Sequence, residues 1–355
     1  MEAELTGKTA AKSILALNSG SSSLKFGLFA AEGAEIRSVY SGQADALEAI
    51  SKKLSELSLR PVNAVGHRIV HGGPKLFVHQ RITPEVLREL ELATHFAPLH
   101  MPAALRLIHA AEEHFPGVPQ FACFDTAFHR TMPEVAARLP LPEEFWKAGI
   151  RRYGFHGISC ESVLHSLGAD VPARIIVAHL GNGASVTAIA NGASVDTTMG
   201  LTPTGGVVMG TRTGDLDPGI LLHLLRTEGS SVDQLETLLD QQSGLLGISG
   251  ISKDMRDLHA AKENARAALA IEIFCRGVAK AVAGLICVLG GLDLLVFTGG
   301  IGENDAIVRE KICSVLRPFN ISDDSNASGA RPKVIHTEEE AQIARHCLRL
   351  LGGDL

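Results

Sequence analysis

Three short apolar segments of this chain each run directly into a glycine-rich turn. They lie at residues 14–25, 175–185 and 294–304. A glycine just after a strand can adopt φ > 0 and lets the backbone approach a ligand closely. Consecutive N–H groups in such a turn can bind an anion. Three such turns, spread over most of the chain, predict that one nucleotide polyphosphate is held between two related halves.

Length and composition narrow the class of protein. A chain of 355 residues exceeds one ordinary hydrophobic core, which predicts two domains. The net charge of −6, without a block of basic residues, argues against a nucleic-acid-binding protein. The six cysteines form no C-x-x-C pair, so we expect reduced thiols in a cytoplasmic protein. The apolar stretch 278–297 is interrupted by Lys280, Gly290, Gly291 and Asp293, which favours a buried helix and strand over a membrane span.

The hydrophobic pattern predicts the same order of elements in both halves: an antiparallel hairpin with a phosphate-binding turn, then helices alternating with strands. Predicted strands occupy residues 13–41 (as a hairpin), 64–70, 120–124, 174–179, 184–190, 193–196 and 293–297. Predicted helices occupy residues 44–59, 84–96, 102–114, 159–167, 217–226, 231–239, 264–289, 309–316 and 338–351. The polar segment 323–332 is predicted to be a loop.

Two arginines stand in surroundings that favour an anion-binding role. Arg68 falls within a strand that should be at least half buried, and Arg212 lies among glycines and threonines. Arginine is rarely buried unless it is paired or binds an anion. Both are therefore candidate clamps for a carboxylate or phosphoryl group. The alternative is a structural ion pair, for instance Arg212 with Asp215 or Asp217.

Three further positions carry candidate chemistry. Asp125 follows a strand, where a carboxylate can act as metal ligand or general base, although it could also cap the next turn. His156 is flanked by Gly154 and Gly157, which favours close approach of a ligand over a purely structural role. Residues 18–25 offer an asparagine, hydroxyls and a lysine for phosphate oxygens, without the spacing of a P-loop; a polar hairpin turn is the alternative.

Eleven stretches of this chain resemble one known family. They are NSGSSSLK at 18–25, GHRIVHGG at 66–73, APLH at 97–100, FDTAFH at 124–129, RRYGFHG at 151–157, HLGNG at 179–183, MGTRTGDLDP at 209–218, SGLLGISG at 243–250, DMRD at 254–257, FTGGIGEN at 297–304 and TEEE at 337–340. In this order they resemble the acetate kinase family, within the superfamily of acetate and sugar kinases, Hsp70 and actin.

The resemblance implies an α/β fold with two ribonuclease-H-like (actin-like ATPase) domains and the active site in the cleft between them. The domains would comprise residues 1–130, completed by a C-terminal helix at 340–355, and residues 131–339. The implied reaction is reversible transfer of the ATP γ-phosphoryl group to acetate or another short-chain carboxylate, giving an acyl phosphate and ADP. Mg²⁺ or Mn²⁺ is the implied cofactor, and a homodimer is the implied assembly, without nucleic acid or membrane partners.

The resemblance also implies residue roles. Asn18, Asp125 and Glu339 would place the metal, Arg68 and Arg212 would hold the carboxylate and the developing charge, and His156 with Arg212 would stabilise the transition state. The acyl pocket would consist of Arg68, Val70, Leu99, Phe155 and Pro203. ATP would contact Ser21, Ser23, Lys25, His179, Leu180, Gly181, Asn182, Gly183, Asp254, Met255, Arg256, Gly300, Ile301, Gly302 and Asn304.

The chain departs from the usual family pattern near the implied acyl pocket. Thr204 and Gly205 stand where leucine and glutamate are usual, Met101 replaces asparagine and Cys160 replaces histidine. One methylene in an apolar pocket changes binding by only about 1–3 kcal/mol, so a propionate- or butyrate-preferring kinase stays open. An ATP-driven switch of the Hsp70/actin type would need an added domain, which we do not expect before residue 13 or after residue 355.

Overall fold

The computed structural model describes residues 12–19, 24–33, 35–44, 47–58, 60–321 and 330–352. Contacts between residues divide the described chain into two compact units. Unit 1 consists of the described parts of Met1–Ala127 and Glu338–Leu355. Unit 2 is Phe128–Thr337.

The described residues form strands and helices in alternation. The strands are β1 (Lys12–Ser19), β2 (Leu24–Glu32), β3 (Glu35–Ala44), β4 (Ala64–Ile69), β5 (Gln80–Arg81), β6 (Gln120–Phe124), β7 (Arg174–Leu180), β8 (Ala184–Ala190), β9 (Ala193–Thr197), β10 (Leu294–Thr298) and β11 (Arg331–Val334).

The α-helices are α1 (Leu47–Ser58), α2 (Pro84–Leu92), α3 (Met101–His114), α4 (Glu134–Ala137), α5 (Glu143–Lys147), α6 (Gly157–Leu167), α7 (Pro218–Thr227), α8 (Val232–Gln241), α9 (Gly244–Ser249), α10 (Met255–Ala260), α11 (Ala265–Leu289), α12 (Gly299–Asn304), α13 (Ala306–Leu316) and α14 (Glu339–Gly352). Short 3-10 helices occupy Ala93–Phe96, Ala127–Thr131 and Arg317–Phe319.

The sheet of unit 1 has the strand order β3-β2-β1-β4-β6-β5. The first three strands in sequence pair antiparallel, whereas β4 pairs parallel to β1 and β6 parallel to β4. Buried leucines and phenylalanines of β1 and β2 form a core with α1 and α3. Helix α14 packs on β1 and β4. It can approach closely because a Cβ at Gly66 would lie 2.5 Å from Ile343 and 2.5 Å from Cys347.

Unit 2 has the order β11-β10-β7-β8-β9, which repeats the first five strands of unit 1 and, among its described strands, has no counterpart of β5, the strand antiparallel to β6. Its first three strands are antiparallel, and β10 and β11 continue parallel to β7. Helix α11 packs on β7 and β8, and Asn264 caps its first turn by accepting the N–H of Arg266 at 2.9 Å. Three antiparallel strands followed by two parallel ones, in each unit, confirm the predicted α/β class and the two ribonuclease-H-like halves.

The sequence prediction lacks the short elements β5, α4, α5, α9 and α10, and it differs from the structure at β11 and at the third glycine-rich turn. Residues 331–332 were expected in a loop but begin β11, an edge strand that pairs parallel with β10 and places Pro332 opposite Leu295. An edge strand tolerates proline because one side makes no ladder hydrogen bonds. Residues 323–329 of that predicted loop lie outside the described residues.

The third glycine-rich turn is wrong as predicted, because Gly299–Asn304 is the short helix α12. The Glu303 carboxylate accepts the N–H of Gly299 at 3.0 Å, and this contact lies within the first turn. Gly299 has φ 77° and packs directly against the backbone of Leu180. Of the helices in the described part of the chain, none combines the length and apolar character that crossing a bilayer requires.

Candidate functional site

A polar cluster lies at one edge of the unit 1 sheet and consists of Asn18, Arg68, Asp125, Glu339 and Glu340. The first three come from the ends of β1, β4 and β6, which run parallel in register. Parallel strands bring their carboxyl ends to one edge, where ligands of open α/β sheets bind. The two glutamates are the first residues of α14, so a segment more than 200 residues away completes the cluster.

Arg68 and Asp125 form a bidentate ion pair in this cluster. The Nε of Arg68 lies 3.1 and 3.0 Å from the two carboxylate oxygens of Asp125, and its Nη2 lies 2.5 Å from Oδ2. Its Nη1 donates to the carbonyl of Ser19 at 3.1 Å. The Asp125 side chain is 2% exposed and that of Arg68 13%. Two parallel N–H···O bonds fix the orientation of both groups.

Asn18 links the two glutamates. Its Nδ2 donates to Oε2 of Glu339 at 2.8 Å and to Oε1 of Glu340 at 2.8 Å. Burial opposes the charge of Arg68, but Asp125, Glu339 and Glu340 outweigh burial and raise the pKa of the guanidinium above its ordinary value. Among the described residues of this cluster, three carboxylates and one guanidinium give a net negative charge, and the carboxylate donor atoms are oxygens. Hard divalent cations such as Mg²⁺ prefer such ligands.

Asn18, Arg68, Asp125 and Glu339, to which the family resemblance gives roles in one active site, lie together in this cluster. Glu340 was not among the predicted residues, although the adjacent glutamates at the start of a predicted helix gave a signal for it. Lys25 is exposed and lies opposite Asn18 in the β1–β2 register. Ser21 and Ser23 lie outside the described residues. Of the acyl-pocket candidates in unit 1, Val70 is buried and Leu99 is 43% exposed.

In unit 2, His156 occupies a strained turn before α6. Its backbone is left-handed, with φ 57° and ψ 26°, a conformation that non-glycine residues adopt mainly where the surroundings enforce it. The imidazole stacks on that of His179, with ring centroids 4.2 Å apart. His156 Nδ1 contacts the Ser185 hydroxyl at 2.9 Å, and His179 Nδ1 contacts the Ser159 hydroxyl at 2.8 Å. Both rings are thereby oriented by serines.

Arg212 converges with His156 on Gly183. A Cβ at Gly183 would lie 3.3 Å from His156 Nε2 and 3.4 Å from Arg212 Nη1. Arg212 Nη1 also donates to the carbonyl of Pro203 at 3.3 Å. The carboxylates considered as alternative partners have other contacts, since Asp215 accepts the N–H of Gly206 at 2.7 Å and Asp217 caps α7. This grouping can present positive charge and N–H donors to an anion.

The remaining ATP candidates of unit 2 lie along the β7–β8 turn, α10 and α12. The N–H of Gly181 donates to the carbonyl of Gly183 at 3.0 Å, and the β7–β8 turn approaches the N–H of Gly300. Asp254 caps α10 and holds the exposed Arg256 through an Nη2–Oδ2 contact of 2.6 Å. Of the other candidates, Leu180, Met255 and Gly302 are buried, Ile301 is half-buried, and Asn182, Gly300 and Asn304 are exposed.

Similarity to known proteins identifies the family of this chain. A sequence profile of the acetokinase family matches residues 38–346. The chain belongs to the acetokinase family. This confirms the family predicted from the eleven motifs.

Relatives of known name agree with this assignment over nearly the full chain. An acetate kinase of Shewanella frigidimarina (strain NCIMB 400) is 42% identical over 395 aligned residues, which cover 96% of this chain and 98% of that protein. A propionate kinase structure from Francisella tularensis subsp. tularensis SCHU S4 has a TM-score of 0.85 at 39% identity, covering 96% and 100%. An acetate kinase structure from Porphyromonas gingivalis has a TM-score of 0.82 at 36% identity, with the same coverage.

Two buried histidines of this acetokinase-family chain hold neutral imidazoles. His67 contacts Gln120 Oε1 at 2.7 Å in unit 1, and His129 contacts the carbonyl of Phe155 at 2.8 Å in unit 2. Burial lowers the pKa of His67 to about 4, against a smaller opposing effect of the Gln120 hydrogen bond. Burial likewise lowers the pKa of His129 to about 4. Neither imidazole is suited to carry charge at neutral pH.

These pKa values predict acid sensitivity. Above pH 6.5 both imidazoles are neutral in the folded and the unfolded chain, so stability is unaffected there. As pH falls from 6.5 towards 4, the unfolded chain binds protons that the folded chain does not, and stability is lost. We expect a loss of about 2 kcal/mol per imidazole between pH 7 and pH 5. Denaturant unfolding at both pH values measures it. His67→Asn should show a smaller loss than the wild type; equal losses would contradict the assignment.

Proposed function

We propose that this protein is an acetate kinase, which reversibly transfers the γ-phosphoryl group of ATP to acetate and forms acetyl phosphate and ADP. The observation that carries the proposal is the full-length similarity to a protein named acetate kinase at 42% identity. The convergence of Arg212 and His156 on Gly183 supports phosphoryl transfer. A propionate- or butyrate-preferring kinase is the second candidate, and the structural similarity to a propionate kinase favours propionate as its substrate.

Phosphoryl transfer to a carboxylate requires aligned reactants and neutralised phosphoryl oxygens, and it requires no general base. A carboxylate acceptor is already ionised at pH 7. Arg212 would neutralise charge on the transferred phosphoryl oxygens, and His156 would donate an N–H to them. We propose that the Ser185 hydroxyl donates to Nδ1 of His156, which leaves the proton on Nε2. The close approach at Gly183 would let a phosphate oxygen lie between the two side chains.

We propose that Asn18, Asp125 and Glu339 hold Mg²⁺, or Mn²⁺, directly or through water. Their oxygen donors suit a hard cation that retains several waters, and Glu340 adds further negative charge. When bound, such an ion neutralises phosphate oxygens of ATP. Arg68 would keep Asp125 oriented through its bidentate pair and would also contact the acyl carboxylate.

Further contacts are proposed from the family resemblance. The acyl chain would lie against Val70, Leu99, Phe155 and Pro203. Lys25, His179 and residues 180–183 would contact the ATP phosphates, as would Ser21 and Ser23. Adenosine would lie against Asp254, Met255, Arg256, Gly300, Ile301, Gly302 and Asn304.

The assay that tests the function traps acyl phosphate as hydroxamate, with ATP, Mg²⁺ and separately acetate, propionate or butyrate. We expect the highest kcat/KM with acetate and about ten-fold or smaller differences from propionate, because one methylene changes binding by only about 1–3 kcal/mol. Reactions without acid are the control. A higher value with propionate or butyrate would support the second candidate. Folded protein that binds ATP but converts none of the acids would refute both.

A homodimer in the cytoplasm is proposed as the working form. Helix α11 exposes Leu269, Ile273 and Val288 to 52%, 36% and 55%, and these apolar side chains could contact a second copy of the chain. All six cysteines carry free thiols, as in proteins of a reducing compartment.

A further inference from the structure

His129 contacts the backbone that leads into His156. Its imidazole is 1% exposed, and its Nε2 lies 2.8 Å from the carbonyl oxygen of Phe155. A carbonyl can only accept, so Nε2 carries the hydrogen. Nδ1, 2.9 Å from Oγ of Ser194, then accepts from that hydroxyl. The two contacts fix a single neutral tautomer, in accord with the pKa of about 4 that burial gives this imidazole.

The ring of His129 also packs closely against Gly154. A Cβ at Gly154 would lie 2.7 Å from Cδ2 and 2.7 Å from Cγ of His129, and 2.6 Å from Thr197. Gly154 has φ 74°, which glycine alone adopts without strain. His129 therefore holds both residues that precede His156: it packs against Gly154 and donates a hydrogen bond to the carbonyl of Phe155.

The contacts of His129 adjoin a strained backbone position. His156 itself is left-handed, with φ 57°, and such a conformation persists only when surrounding contacts over-determine it. On its other side α6 begins at Gly157. The contacts of His129 and the start of α6 thus hold the turn from both ends.

We propose that His129, oriented by Ser194, is a positioning residue that holds the imidazole of His156 in the geometry needed for phosphoryl transfer. The inference rests on the role proposed for His156. His129 acts through residues 154 and 155, and it touches none of the reacting atoms. It completes the FDTAFH motif, whose aspartate alone had been given a role.

The test compares His129→Leu, which removes both ring hydrogen bonds, with His129→Gln, whose amide can still donate to the Phe155 carbonyl. A displacement of about 1 Å at a catalytic group can cost about 10²-fold in rate. We expect His129→Leu to lower kcat by about 10- to 100-fold, with KM for ATP changed by less than about three-fold. His129→Gln should recover most of that loss. A loss in KM alone, or equal losses in both variants, would overturn the proposal.

A double-variant cycle separates positioning from a general structural role. If His129 acts through His156, adding His129→Leu to His156→Ala should lower kcat no further than His156→Ala alone. Losses that multiply would overturn the proposal. If His129→Leu does not fold, Ser194→Ala replaces it in the same cycle, with a smaller loss expected.

Histidine NMR supplies a readout that needs no turnover. The ring ¹⁵N resonances of His156 should shift in His129→Leu and return towards wild-type positions in His129→Gln. Unchanged resonances in His129→Leu would overturn the positioning role. If the wild type made no acyl phosphate, the proposed function would fail, yet these resonances would still decide whether His129 positions His156.

Discussion

Arg212→Ala should lower kcat for acyl phosphate formation by about 10³-fold or more. An arginine that neutralises the transferred phosphoryl group contributes about 10³–10⁵ in rate. Here the guanidinium approaches Gly183 together with His156, so its removal deletes charge at the point where phosphoryl oxygens are proposed to lie. The hydroxamate assay under saturating ATP and acetate measures the loss.

We expect the loss of kcat in Arg212→Ala to come from the missing guanidinium and not from unfolding, because a backbone hydrogen bond of residue 212 is kept. The carbonyl of Arg212 accepts the N–H of Met209 at 3.1 Å, a contact that alanine keeps. Arg212→Lys retains the charge but loses the planar fork, so its activity should fall between that of the wild type and that of alanine. Arg226→Ala, at an exposed position of α7, is the matched control and should behave as wild type. An Arg212→Ala enzyme that keeps more than about a tenth of wild-type kcat would exclude the proposed role.

Local sequence patterns were sufficient to predict most of the fold. The apolar run of β1 is buried along Ile14–Leu17, and the run of β7 is buried in the same way, because both are central strands. Caps follow equally local rules: Thr83 accepts the N–H of Val86 at 3.3 Å and starts α2. These features depend on neighbours a few residues away, which the sequence displays directly.

Two of the elements that were missed, β11 and α12, have partners distant in the sequence. Strand β11 is polar, and it is a strand because it pairs with β10. Helix α12 lies where a glycine-rich turn was predicted, and its Glu303 carboxylate accepts the N–H of Thr337, 34 positions away, at 3.2 Å. Periodicity carries no record of such contacts, since they are set by the tertiary fold.

In the candidate site, too, the residue types could be predicted from local sequence, whereas the contacts between them depend on the tertiary fold. Residue types and family motifs identified Asn18, Arg68 and Asp125 but could not show how their hydrogen bonds are shared. The link from Asn18 to Glu340 spans 322 positions, and only the packing of α14 on β1 creates it. Whether Arg212 forms a clamp or a structural pair was likewise undecided, because the choice depends on where the Asp215 carboxylate is directed.

Arg68→Met should destabilise unit 1 by about 3–5 kcal/mol at neutral pH, the usual cost of breaking a buried ion pair by removing one partner. The Asp125 side chain is 2% exposed, and without the guanidinium its charge would face those of Glu339 and Glu340 at the same sheet edge. Urea unfolding of wild type and variant at pH 7 measures the difference. Activity should also be lost, because Arg68 is proposed to contact the acyl carboxylate.

The cause of this destabilisation can be isolated by removing the opposing charge. Adding Asp125→Asn to Arg68→Met should restore part of the lost stability, because it removes a buried carboxylate that has lost its guanidinium partner. Millimolar Mg²⁺ should raise the stability of Arg68→Met more than that of the double variant, because the cation would replace the missing positive charge among oxygen ligands. A double variant less stable than Arg68→Met, with no response to Mg²⁺, would mean that packing rather than charge holds this cluster together.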